Sequence, residues 1–401
     1  MTQNTASSLE KTSLTLGYMP LTDSLPLLAA KERGLFEQHG LDVTLQQEVS
    51  WANIRDKVVV GHLDGAQMLA PMLLATHGGF GGLRKEMVAP MALGLNGNAL
   101  TISTTLANQL REQARSLATE TDAPVPELSS NAAVALECLA RQVKQRRDNG
   151  DAPLVFATVF PFSIHNLLFR HGLASVNLDP DRDIELVVLP PSQMVDHLKL
   201  SHIDGFFAGA PWNTVAIQTG MGECLLSGPD LWPSAPDKVL GVTKDWAEQN
   251  PNTLTAVIRA LYQAGDWLEY HREEAAGILS RYIRLPEEAL LPALTGQFCC
   301  RLDGEVNQLP DMLVFHRYLA NYPWRTHGEW FLEQLQRWGW ASPDIDSEAL
   351  ISECYRQDLY KAALADTPLP ESDSLALQHP ERWTLKTTQG EFVMARTSLL
   401  V

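Results

Sequence analysis

The side chains best suited to covalent or metal chemistry in this 401-residue chain are five cysteines, Cys138, Cys224, Cys299, Cys300 and Cys354. None stands in a CxxC pair, adjacent Cys299 and Cys300 are poorly placed to bridge each other, and an odd, scattered set reads as reduced thiols. The glycine-rich HGGFGGL at 77–83 lacks the G-K-[ST] ending of a phosphate loop and reads as a flexible connection. No GxSxG, HExxH or paired zinc-ligand motif occurs, and the carboxylates are dispersed. The motifs therefore make no case for catalysis, and neither a metal nor a cofactor is expected. One histidine- and aspartate-bearing segment does recur: HLDGAQMLAP at 62–71 returns as HIDGFFAGAP at 202–211, with five of ten positions identical. Its His62, Asp64, His202 and Asp204 are expected to be turn and cap residues.

The recurrence extends beyond ten residues. LFEQHGL and LLFRHGL each end a helical stretch, and each leads to a strand opening on Asp-Val or Asp-Ile, then a helix, then the HxDG element. Roughly seventy residues are thus repeated in order, and the alternation is that of parallel α/β structure. A polar interval of about thirty residues around TETDAPVPELSSN separates the copies. From about residue 244 the pattern turns helical, including PDMLVFHRYLANYP, and Trp330, Phe331, Leu335 and Trp338 form a stripe expected to pack in the core. The tail contains strand-like RWTLKT and EFVMART. The expected division is a first lobe at 12–104, a second at 105–235, a return to the first with C-terminal helices at 236–365, and a tail at 366–401. In open parallel sheets the carboxyl ends of the strands and the following helix N-termini form the binding edge. Two such edges facing each other make a ligand cleft.

The net charge of −17 and the isoelectric point near 5.0 disfavour direct contact with nucleic acid, so any link to RNA should run through a partner. No uncharged apolar stretch reaches membrane-spanning length. The opening MTQNTASSLEKTSLTLGYMP passes from polar residues into a strand without an export signal, so the expected location is the cytoplasm.

The segments LTLGYMPLTDSLPLLAAKERGLFEQHGLDVTL, SWANIRDKV, LDGAQMLAPM, FPFSIHNLLFRHGL, VLPPSQMV, AGAPWN and DKVLGVTKDWAEQNP together resemble the nitrate- and bicarbonate-binding members of the solute-binding proteins of ABC transporters. The matching motifs span about residues 13–260. The resemblance implies a two-lobed, periplasmic-binding-protein-like α/β fold of type II, with the ligand held between lobes. Within that family the chain looks like the NasS-type cytoplasmic nitrate/nitrite sensors. These bind the anion and thereby release an RNA-binding antiterminator of the NasT type.

The same resemblance implies the site. Nitrate is a planar, weakly basic monoanion, so its recognition calls for a cation, several fixed N–H donors and an aromatic or apolar wall. Trp51 in SWANIRD would supply its indole, His165 in PFSIHNLL a ring N–H, and Lys238 in SAPDKVLGV the cation. Asn98 in LNGNAL falls roughly where nitrate binders carry a site Gln. Gln67 in LDGAQMLAP is a fifth candidate, with satisfaction of local backbone groups as its other role. Ala210 in AGAPWN stands where several transport relatives carry an acidic residue, which disfavours a metal-assisted bicarbonate site. Two further readings stay open: the substrate-binding component of a nitrate or bicarbonate transporter, and an enzyme related to thiamine-pyrimidine synthases, for which Phe298-Cys299-Cys300 is the only echo.

Overall fold

The computed structural model describes residues 8–399. Its first lobe is built on strands β1 (Ser13–Tyr18), β2 (Asp42–Gln47), β3 (Gly65–Leu69) and β4 (Met87–Ala92), followed by the two-residue strand β5 (Leu95–Asn96). The second lobe uses β6 (Asn98–Ser103), β7 (Val155–Thr158), β8 (Glu185–Val188), β9 (Gly205–Gly209) and β10 (Gly222–Ser227). Strand β11 (Lys238–Thr243) then returns to the first lobe. The two sheets have equivalent orders, β2-β1-β3-β11-β4 and β8-β7-β9-β6-β10. In each, three strands run parallel, and the fourth position is taken by an antiparallel strand that has crossed from the other lobe. The repeat seen in the sequence is therefore a repeat of architecture.

Its HxDG element does the same work twice. The Asp64 N–H donates to the Thr15 carbonyl at 2.9 Å, and its carboxylate accepts from the Thr15 N–H at 2.9 Å. Asp204 repeats this with Val155, at 2.7 and 2.8 Å. Each aspartate thus closes the start of its lobe's central parallel pair, as expected of a turn and cap residue. Asp64 also accepts from the Trp246 indole at 2.9 Å and from Lys11 at 2.5 Å. Asp64→Ala and Asp204→Ala would each leave a backbone N–H without its partner and should cost about 1–3 kcal/mol. Urea unfolding measures this, and an unchanged midpoint in both variants would contradict the shared role.

Three boundaries differ from the sequence expectation. The crossing into the second lobe comes before residue 98, not after 104, because Asn98–Ser103 pairs with β9 and β10. The polar interval is largely a pair of 18-residue helices, Thr104–Thr121 and Ala132–Asn149, that bury Leu106, Leu110, Leu136 and Leu139. Their many polar residues lie on the outer faces and mask the apolar spacing. Finally, PDMLVFHRYLANYP is not a helix. Leu313–Val314 forms β14, after a hairpin of β12 (Gln297–Cys299) and β13 (Val306–Gln308), and pairs with β5 at the crossing. Positive φ at Tyr318 (62°) and Leu319 (52°) then breaks any continuing helix.

Apolar packing joins the lobes. One continuous core includes Met68 and Leu73 of the first lobe, Leu168 and Phe207 of the second, and Trp330 and Phe331 of the C-terminal helix Arg325–Arg337. The expected aromatic stripe is core: Trp330 packs on Trp232 with ring centroids 4.8 Å apart. Arg170 of the second lobe lies against Trp338 and Trp340, 5.1 and 4.8 Å from the ring centroids. A second core fills the other face of the first sheet with helices Pro251–Tyr270 and Arg272–Ile283. The tail hairpin, β15 (Trp383–Thr387) and β16 (Gly390–Met394), lies on that core through Met394 and Ala395. Among the described residues no helix is long and apolar enough to cross a membrane.

Candidate anion-binding site

Each lobe sends a helix N-terminus to the interface. Ser50 caps the helix Trp51–Val59 by accepting from the Asn53 N–H, and Ser163 caps Ile164–Ser175 by accepting from the Asn166 N–H. Trp51 and His165 thereby occupy the first turns, where backbone N–H groups and the helix dipole favour negative charge. The two crossing strands contribute their first residues, Asn98 of β6 and Lys238 of β11. The lobes meet directly here, through a 2.9 Å hydrogen bond from the Thr22 N–H to the Ala210 carbonyl.

Four of the five expected residues converge on the fifth, Lys238, directly or through a carboxylate. The ammonium is 2.7 Å from Asp23 Oδ2 and 2.6 Å from Asp237 Oδ2, and it lies over the Trp51 ring, 5.3 Å from the centroid. His165 Nε2 is 3.7 Å from Asp237 Oδ2, to which Asn98 Nδ2 donates at 3.2 Å. Gln67 stands one step further out. Its Nε2 donates to Asp23 Oδ1 at 2.6 Å while its Oε1 accepts from the Met19 N–H at 3.0 Å. It therefore orients Asp23 and also satisfies local backbone. All of these residues are buried; Lys238 is only 2% exposed and His165 is 0% exposed.

Asp23 and Asp237 were not among the expected residues. A carboxylate is the group least anticipated beside an anion. Asp237 immediately precedes β11, and Asp23 lies in the TDS turn that follows β1.

The polar inventory is incomplete as it stands. Among the described residues both His165 ring nitrogens, the Trp51 indole N–H and the Thr22 hydroxyl are buried without hydrogen-bond partners, and so are the acceptors Asn98 Oδ1 and Asp237 Oδ1. Leaving such groups unpaired costs about 1–3 kcal/mol each, so the cluster has polar capacity to spare for a small ligand. Burial, and then the neighbouring Lys238 charge, hold His165 well below the ordinary imidazole range; it is neutral at pH 7 and donates from one nitrogen. Burial raises the Asp23 carboxyl, with Lys238 opposing and Asp237 adding to the rise. Burial works against the Lys238 ammonium, but attraction to Asp23 and Asp237 prevails and raises it. With both carboxylates ionised the cluster carries one net negative charge, a repulsion that an incoming anion must overcome or that a proton taken up with it must relieve.

Gly228 fixes the Asn98 position, since a β-carbon there would collide with Asn98 Oδ1. Gly228→Ala should cost about 1–3 kcal/mol and displace Asn98 from Asp237. Thermal unfolding of that variant, with a midpoint equal to wild type, would contradict the tight fit. Among the described residues no group of three or more His, Cys, Asp or Glu side chains is placed to hold a metal ion.

Comparison with known proteins identifies the family and the fold. The model of the NMT1-like family matches residues 7–283. The chain is 36% identical over 371 residues to the nitrate import ATP-binding protein NrtC of Synechocystis sp., covering 91% of this chain and 52% of that protein, so it spans about half of that relative's length. It is 30% identical to the nitrate/nitrite binding protein NrtA of Synechococcus elongatus, covering 92% of this chain and 82% of that one. The crystal structure of the periplasmic nitrate-binding protein NrtA from Synechocystis superposes with a TM-score of 0.81 at 26% identity, covering 96% of each chain. The chain thus belongs to the NMT1-like family, and it is similar to proteins of nitrate import and nitrate/nitrite binding.

Proposed function

We propose that this protein is a cytoplasmic nitrate/nitrite sensor that grips the anion between its lobes and, on binding it, releases an RNA-binding antiterminator of the NasT type. The observation that carries the anion is the buried convergence of Lys238, Trp51, His165 and Asn98 from both lobes, with donors left unpaired. Lys238 supplies the charge, the indole and imidazole N–H groups and the Thr22 hydroxyl fix the oxygens, and the Trp51 face borders the site. An anion touching both lobes stabilises the closed form, and the partner must prefer one state for the ligand to release it. A tenfold change in the two-state ratio takes about 1.4 kcal/mol of differential affinity, within the reach of one charge-assisted hydrogen bond. The acidic surface and the five free thiols support a protein that works in a reducing compartment and controls RNA through a partner.

A second reading, the binding component of an importer, is favoured by the likeness to the periplasmic nitrate-binding protein NrtA. Calorimetric titration with nitrate, nitrite and bicarbonate, with and without a candidate antiterminator, separates the two. The sensor reading predicts a complex that nitrate or nitrite dissolves; anion binding with no complex at any ligand concentration would favour the importer.

A further inference from the structure

The best-built reactive site outside the anion cluster is a thiol pair at the edge strand β10 of the second sheet. The Cys224 N–H of β10 donates to the Cys300 carbonyl at 2.7 Å, so the hairpin β12–β13 is stitched to the second sheet at this pair. Cys300, part-exposed, accepts from Asn307 Nδ2 at 3.3 Å, and its side chain packs against the small apolar cluster that contains the buried Cys224. Donation from the Cys224 thiol, opposed by burial, leaves Cys300 below the ordinary thiol range; the same hydrogen bond, then burial, pushes Cys224 up. Both cysteines line a cavity of about 260 Å³ with Arg111, Arg115, Arg301 and Glu223. Cys138 and Cys354 are buried, and burial pushes both thiols up.

We propose that Cys300 and Cys224 form a peroxide-responsive dithiol, with Cys300 the attacking and Cys224 the resolving sulfur. The Cys300 thiolate attacks one oxygen of hydrogen peroxide, the O–O bond breaks, and hydroxide leaves, giving a sulfenic acid. The Cys224 sulfur then attacks the Cys300 sulfur; the S–O bond breaks, and the departing hydroxide takes the Cys224 proton as water. Overall, two thiols and one peroxide give one disulfide and two waters. The bond fastens the hairpin that follows helix Glu287–Thr295, and that helix touches both the second-lobe helix Trp212–Gln218 and the Thr22–Ser24 segment of the anion site.

The test uses the full chain, reduced and then treated with hydrogen peroxide, followed by intact mass and peptide mapping. A loss of about 2 Da, reversed by dithiothreitol and mapped to Cys224–Cys300, is expected. Cys224→Ser should instead accumulate dimedone-labelled Cys300. In untreated wild-type protein, iodoacetamide should alkylate Cys300 about tenfold faster than Cys299, a measurement that needs no variant. Five free thiols after peroxide treatment, a bond through Cys299, or equal alkylation of Cys299 and Cys300 would overturn the assignment. None of these readouts involves nitrate, so their failure leaves the sensor reading untouched.

Discussion

Lys238→Ala is expected to weaken nitrate binding by about 100-fold or more, the equivalent of about 3 kcal/mol for a lost charge-assisted hydrogen bond, while leaving the antiterminator bound. The substitution has a second expected effect. Asp23 and Asp237 sit 2.7 and 2.6 Å from the ammonium and are both buried, so removing it leaves two uncompensated carboxyl groups. Breaking such a pair costs about 3–5 kcal/mol. Lys238→Ala combined with Asp23→Asn should recover much of the stability and none of the binding. That contrast separates recognition from folding. Normal nitrate affinity by calorimetry in the single variant would remove Lys238 from the site.

The second large effect is on pH. Before the anion arrives, burial has already raised the Asp23 carboxyl, and burial with the Lys238 charge has depressed His165. A bound anion repels a carboxylate and attracts a proton, so it raises the proton affinity of the cluster further. Binding therefore takes up a proton. Affinity should be level at pH below the anion-free Asp23 value, should fall as pH rises between the anion-free and anion-bound values, and should level again above. The slope approaches tenfold per pH unit for one proton, about 1.4 kcal/mol. Calorimetry in buffers of different ionisation enthalpy reads the uptake directly. An enthalpy independent of buffer, with affinity flat over roughly pH 5 to 8, would show that Asp23 and His165 keep their protonation states.

Much of the framework around these residues was legible because it rides on local rules. Ser50 before Trp51 and Ser163 before Ile164-His165 are helix caps, and the duplicated HxDG segments place the strand ends that face the cleft. What escaped notice depended on contacts far apart in the chain. Adjacent residues in an extended strand point to opposite faces, so Asp237 gave little sign of joining Lys238; the two meet because Lys238 opens β11 while Asp237 still belongs to the crossing segment. Asp23 was hidden in a short turn, and only the fold brings it to a lysine more than two hundred residues away. The stretch after Pro310 looked helical because its apolar residues are dense. Tertiary pairing of Leu313–Val314 with Leu95–Asn96 overrode that local pattern.

The charge arithmetic also bears on selectivity. Two carboxylates around one ammonium leave no positive surplus, so fixed N–H donors rather than excess positive charge must do most of the recognising. Such a site suits a weakly hydrated monoanion, whose desolvation is cheap. It should discriminate against sulfate or phosphate, which bring a second negative charge into the same buried space.

The most direct measurement is small-angle X-ray scattering of the protein with and without saturating nitrate, at concentrations where calorimetry reports occupancy. If the anion is held by groups from both lobes, the radius of gyration must fall on saturation. Superimposable curves from the free and fully occupied protein would mean that nitrate binds without drawing the lobes together.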